Sequence, residues 1–179
     1  SSDLDFSGSM RGNGEHELKK AMALLLDPLQ SRRYLLQPAS NDIHIVVPFD
    51  ARPREIIQAR GNDPDELAGL LRQIRSMQAN GGTDIYAATA SAVKQLRQVP
   101  DLDQYFPAVI LMTDGKSRGS RSMLKHVVQG AGAKVPVFSI TFGKADDQQL
   151  EWISRLTDAR VFHGHSDLAR AFRKAKGYN

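Results

Sequence analysis

The sequence predicts an α/β fold built on a central, mostly parallel sheet with helices on both faces, and three observations predict it. Apolar, strand-like runs alternate with amphipathic helical stretches along the chain. Two of those runs, 108–113 and 135–142, are hydrophobic almost throughout, as strands covered on both faces are. Between 43 and 58 a turn separates two shorter extended stretches, which adds one antiparallel edge strand to the parallel set.

The elements follow in order. A first helix is expected over 15–29, with Leu18, Ala21, Met22, Leu25 and Leu29 on one face. Residues 43–49 read as a strand, and Asp50 and Ala51 turn the chain into an antiparallel strand over 54–58, where Pro48 and Pro53 leave the ladder imperfect. Asp63 caps the next helix, with Pro64 at its first position and Glu66 placed to cap back; Leu67, Leu70, Leu71 and Ile74 form its apolar stripe. A helix over 84–97 stops before Pro100, and its Ala87, Ala88, Ala90 and Ala92 allow close approach to the sheet. The strand at 108–113 leads to a helix over 120–129 with Leu124, Val127 and Val128 inward, then to the strand at 135–142. Asp146 and Gln149 are placed to cap a helix that buries Leu150, Ile153 and Leu156. Val161 and Phe162 supply a short edge strand, and Leu168, Ala171, Phe172 and Ala175 turn the last helix inward.

A length of 179 residues fits a single domain, 1–179, with a substantial core. No apolar run approaches the ~20 residues needed to span a bilayer, so no membrane insertion by this fragment is expected. The absence of cysteine excludes disulfides and thiolate metal sites, and it does not select a compartment. The net charge of +4 is spread through the helices without interleaved aromatics, which argues against a nucleic-acid surface.

Chemistry concentrates in three segments. Asp5-Phe6-Ser7-Gly8-Ser9 turns a carboxylate and two hydroxyls toward one side of a loop, and hard oxygens of this kind suit a small divalent cation. Gly81-Gly82-Thr83-Asp84 delivers another hydroxyl ahead of a helix, and Asp114 leaves the carboxyl end of an apolar strand, where open α/β sheets place ligands. Taken singly, such residues also serve as turn and helix-cap groups.

Together the three segments resemble the metal-ion-dependent adhesion site of a von Willebrand factor type A domain of bacterial type, in which Asp-x-Ser-x-Ser, a Thr and an Asp follow in this order. The resemblance covers nearly the whole chain and implies a Rossmann-like fold. It also implies that Ser7, Ser9 and Thr83 are hydroxyl ligands, that Asp5 and Asp114 act directly or through water, and that the ion is Mg²⁺, with Mn²⁺ or Ca²⁺ as substitutes. The implied function is protein binding rather than catalysis, with a partner's Asp or Glu completing the ion's shell; an alternative is an assembly module working with an ATPase or other domains. An extracytoplasmic or cell-surface setting is preferred over a cytoplasmic one. Arg11, Lys116, Arg118 and Arg121 lie close to these segments and would rim the site, favouring an acidic partner. One feature departs from the family pattern: four residues precede Asp5, so the first strand is either very short or truncated.

Other chemistries fit less of the sequence. Asp3-Leu4-Asp5 resembles the signature of haloacid dehalogenase-type phosphatases, with Asp3 as nucleophile and Asp5 as general acid, but that reading gives no role to Ser9, Thr83 or Asp114. Ser7-Gly8-Ser9 is not a nucleophile elbow, no phosphate-binding Gly-Lys-Ser/Thr follows Gly12-Asn13-Gly14, and His163-Gly164-His165 reads as a solvated or capping turn.

Overall fold

In the computed structural model, which describes residues 1–142, 146–164 and 168–176, six strands form one sheet in the order β3-β2-β1-β4-β5-β6. The strands are β1 (Ser2–Asp5), β2 (Ile43–Phe49), β3 (Ile57–Arg60), β4 (Val109–Thr113), β5 (Val137–Thr141) and β6 (Val161–His163). β3 alone runs antiparallel, at the edge beside β2. The fold class is therefore the expected one. β1 is short and still central, pairing with β2 from Ser2↔Val46 to Asp5↔Phe49 and with β4 from Ser2↔Ile110 to Leu4↔Met112.

Alternation along the strands divides the core into two layers. Leu4, Val46, Ile110, Met112, Phe138 and Ile140 face the helices α1 (Asn13–Leu26), α3 (Pro64–Ser76) and α7 (Leu168–Ala175). Ile45, Val47, Phe49, Val109, Leu111 and Val137 face α4 (Ile85–Leu96), α5 (Arg121–Gln129) and α6 (Asp147–Leu156). Three of the four alanines of α4 meet their expectation, since Ala88, Ala90 and Ala92 are buried, while Ala87 is half-buried.

Three local readings are corrected. The first helix ends at Leu26, because Asp27 caps a separate short helix α2 (Pro28–Arg33) by accepting from the Leu29 and Gln30 N–H groups. Leu29 consequently leaves the apolar face and is 82% exposed. The antiparallel strand begins three residues later than expected: Asp50 Oδ1 accepts from the Arg52 N–H, and the Arg54 N–H bonds the Pro48 carbonyl, so 50–56 is spent on a wider turn. Asp63 caps α3 as expected, but Glu66 binds the backbone and guanidinium of Arg60 instead of closing a capping box.

Candidate functional site

The strand order reverses direction between β1 and β4. From β1 the chain moves outward to β2 and β3, and from β4 it moves the opposite way to β5 and β6. In open α/β sheets that switch point opens a crevice at the carboxyl ends of the strands. Asp5 ends β1 at this edge, and Asp114 follows the last residue of β4.

Backbone hydrogen bonds lock the three loops around the crevice. The Gly8 N–H donates to Gly81 O at 2.9 Å and the Asn80 N–H to Phe6 O at 2.7 Å, joining the Ser7–Ser9 loop to the loop that carries Thr83. The Arg118 N–H donates to Thr83 O at 3.2 Å, joining that loop to the segment after Asp114. Thr113 on β4 donates its hydroxyl to Asp5 Oδ2, and Asp5 Oδ1 accepts from the Ser7 N–H at 2.8 Å. From α1, Glu15 holds the second loop by accepting from the Ala79 N–H, while Lys19 bonds both Glu15 and Met77 O.

The electrostatics are those of two acids held close together inside a protein. Asp5 is fully buried and Asp114 is 6% exposed. Burial pushes the Asp5 carboxyl up to about 6, and the negative charge of Asp114 adds to that rise, against hydrogen bonds from Thr113 and Ser7 that lower it. Neither acid forms an ion pair among the described residues. The donor set fits a small hard cation. Ser7 Oγ and Ser9 Oγ share a hydrogen bond at 3.1 Å, close to the ~3.0 Å that separates adjacent corners of an octahedron with ~2.1 Å metal–oxygen bonds. Two uncompensated carboxylates supply the charge that would attract such an ion.

Of the expected rim, Arg11, Lys116 and Arg118 are exposed. Arg121 is exposed too, but its side chain is engaged: Nε donates to the Tyr86 hydroxyl at 3.1 Å and the guanidinium lies 5.2 Å from the Trp152 ring. Asp3 is fully buried on β1, which leaves the phosphoryl-nucleophile role without access to substrate. His163 shares a 3.1 Å hydrogen bond with the Thr141 hydroxyl; His165 lies outside the described residues.

Sequence reasoning missed Thr113, whose hydroxyl orients Asp5; its position directly before Asp114 was the available clue. It also missed Arg54, which bonds Asp50 and reaches the Phe6 carbonyl beside the first loop. Gln149 was expected to cap α6 and instead bonds Ser117, on the loop after Asp114. Asp146 likewise gives no side-chain cap; its N–H donates to Asp114 O.

One glycine ties the second and third loops sterically. A Cβ at Gly119 would sit 1.8 Å from Asp84 Oδ1, the oxygen that caps α4 by accepting from the Ala87 N–H. Gly119→Ala should therefore lower the melting temperature by about 2–8 °C, the cost of losing a cap and shifting a loop in a domain of this size. A melt unchanged within 1 °C would mean that the loop yields without disturbing the cap.

A doubly wound sheet with interlocked loops at its switch point defines the class of molecule: a Rossmann-like α/β domain, a fold in which ligands generally sit at the carboxyl edge of the strands. The family model for the von Willebrand factor type A domain matches residues 4–174, and the chain belongs to that family. It is 28% identical over 164 residues to human inter-alpha-trypsin inhibitor heavy chain H6, covering 86% of this chain and 12% of that protein. Among solved structures, a von Willebrand factor type A protein from Catenulispora acidiphila superposes with a TM-score of 0.78 at 20% identity, covering 98% of this chain and 41% of that one. A manganese-loaded TRAP protein from Plasmodium vivax gives 0.68 at 18% identity, covering 96% and 70%. The chain thus corresponds to a small part of the curated relative, and the structural likenesses establish the fold. Domains of this family are in general protein-interaction modules.

Proposed function

We propose that this domain binds a protein partner through a divalent cation held by Ser7, Ser9 and Thr83 together with Asp5 and Asp114, the partner contributing an Asp or Glu. The observation that carries this reading is that backbone hydrogen bonds join the three loops bearing these residues at the switch point, beside two buried acids that form no ion pair among the described residues. The manganese-loaded relative supports a divalent ion of the Mg²⁺ or Mn²⁺ type.

The chain's own groups would divide the work. Ser7, Ser9 and Thr83 are neutral donors, so the charge on the protein side rests on Asp5 and Asp114. Asp5 already accepts from Ser7 N–H and Thr113, which suits it to orient ligands and bound water rather than to move. A cation held mainly by neutral oxygens stays electrophilic and attracts an external carboxylate. Lys116, Arg118 and Arg11 add positive potential around it, favouring encounter with an acidic surface. Nothing in this scheme needs bond making or breaking, and the proposed role is not enzymatic. An assembly function beside an ATPase would use the same site.

Titration calorimetry with Mg²⁺ and Mn²⁺ is the direct test. Binding at millimolar affinity or tighter is expected, with heat lost on Ser9→Ala or Thr83→Ala while the metal-free melting temperature changes little. No uptake of either ion at saturating concentration would overturn the reading.

A further inference from the structure

We infer that Gln149, far from the ligand residues in sequence and on a different helix, is a positioning residue for the cation site; the inference rests on the reading just given. Its carboxamide makes a two-way bond to one backbone unit: Oε1 accepts from the Ser117 N–H at 2.9 Å, and Nε2 donates to Ser117 O at 3.0 Å. Asn aside, no side chain that is neutral at ordinary pH has a donor and an acceptor side by side for such a pair, and Asn is one methylene shorter.

The consequence passes through Ser117. Its hydroxyl accepts from the Ile85 N–H at 3.1 Å and from the Gly119 N–H at 3.2 Å, and it lies 3.4 Å from Thr83 O. Ile85 is the first residue of α4, so Ser117 satisfies a donor that helix geometry leaves unpaired, directly beside Thr83. The same helix that carries Gln149 also anchors Asp114, whose carbonyl accepts from the Asp146 N–H at the N-cap at 3.0 Å. Gly115 has φ +73°, and a Cβ there would meet the Asp146 backbone at 2.9 Å, so this loop is seated against α6 with no room to spare.

The first turn of α6 therefore sets the spacing between the loop of Thr83 and the loop of Asp114. Asp114 is held to α6 by backbone, whereas the loop of Thr83, which backbone bonds join to its neighbouring loops, is tied to α6 through the chain of hydrogen bonds that starts at Gln149. Without the carboxamide, the Ser117 carbonyl loses this donor and the Ser117 N–H is left with Gly115 O at 3.2 Å, so the loop of Thr83 loses its side-chain tie to α6. Ligand geometry for small divalent ions is strict, and partners that orient ligands typically contribute about 10–100-fold in metal affinity.

The test uses Mn²⁺ as probe, with affinity read from its electron paramagnetic resonance signal in four proteins: wild type, Gln149→Met, Thr83→Ala and the double variant. Methionine keeps the length and helix propensity and removes both bonds. Gln149→Met should weaken Mn²⁺ binding about tenfold in the wild-type background, yet by less than about twofold when Thr83 is already alanine, because residues in one chain of contacts do not act additively. A purely structural role would lower the melting temperature and leave the Mn²⁺ affinity of the folded protein alone. Unchanged affinity in Gln149→Met, or equal losses in both backgrounds, would overturn the positioning role while leaving the cation site standing. Failure of the wild type itself to bind Mn²⁺ would overturn both.

Discussion

Asp114→Asn is expected to reduce Mg²⁺ or Mn²⁺ affinity by about a hundredfold or more, and to abolish cation-dependent partner capture. Two unit charges ~4 Å apart at an effective dielectric near 20 attract by about 4 kcal/mol, and each 1.4 kcal/mol is a tenfold change, so the loss stays large even after allowance for solvation. Asparagine keeps an acceptor for the Lys116 N–H, which bonds Asp114 Oδ1 at 3.2 Å, so the loop retains its local bond. In the metal-free protein the sign reverses. Asp114 helps to raise the pKa of Asp5, which is the signature of repulsion between the two acids, and removing one charge relieves it. Thermal melts in chelator should show the variant equal to or slightly above wild type, and melts in Mg²⁺ should show no metal-induced rise. A variant that kept both the metal-induced shift and partner capture would show that the proposed mechanism is wrong for this chain.

The sheet and its helices were legible because each is written locally. Continuous apolar runs announced β4 and β5, and the Asp63-Pro64 start announced α3. The cost of a purely local reading shows at Leu29. It continues the helical period of α1, yet Asp27-Pro28 stops that helix, and the cap outweighs the periodicity. The three segments of the candidate site stand out in the sequence because residue type and order carry the family's pattern. Their wiring was not. Gly8 to Gly81, Arg118 to Thr83 and Gln149 to Ser117 are contacts between distant parts of the chain, several made by backbone atoms that have no sequence identity at all. Gln149 shows the limit well: its type and place at the start of a helix suggest a cap, and only the folded position of Ser117 redirects it.

Asp3 offers the largest change in stability. Its carboxyl lies on the central strand, fully buried and without a well-formed hydrogen bond among the described residues, and the nearby N-terminal amine and Thr89 hydroxyl of α4 offset the burial only in part. In register beside it stand Val47 on β2 and Leu111 on β4, both fully buried and apolar. Burial drives the pKa from 3.8 to about 7. In the folded protein Asp3 therefore holds its proton over a range in which the unfolded chain has already released it. Stability falls as pH rises through that interval, from near 4 to near 7, and the loss is complete above it. At 1.36 kcal/mol per pKa unit the cost is on the order of 4 kcal/mol at pH 8. Asp3→Val removes the titrating group, completes the apolar row and suits a central strand. In chelator at pH 8 the variant should melt about 8–16 °C above wild type, given ~2–4 °C per kcal/mol for a chain of this size. Near pH 4 the gain should shrink, because the wild-type carboxyl is then protonated when folded and already about half protonated when unfolded. A difference between the two proteins that does not change with pH would show that Asp3 does not titrate between these limits, and a Val variant less stable at pH 8 would show that the site needs the acid.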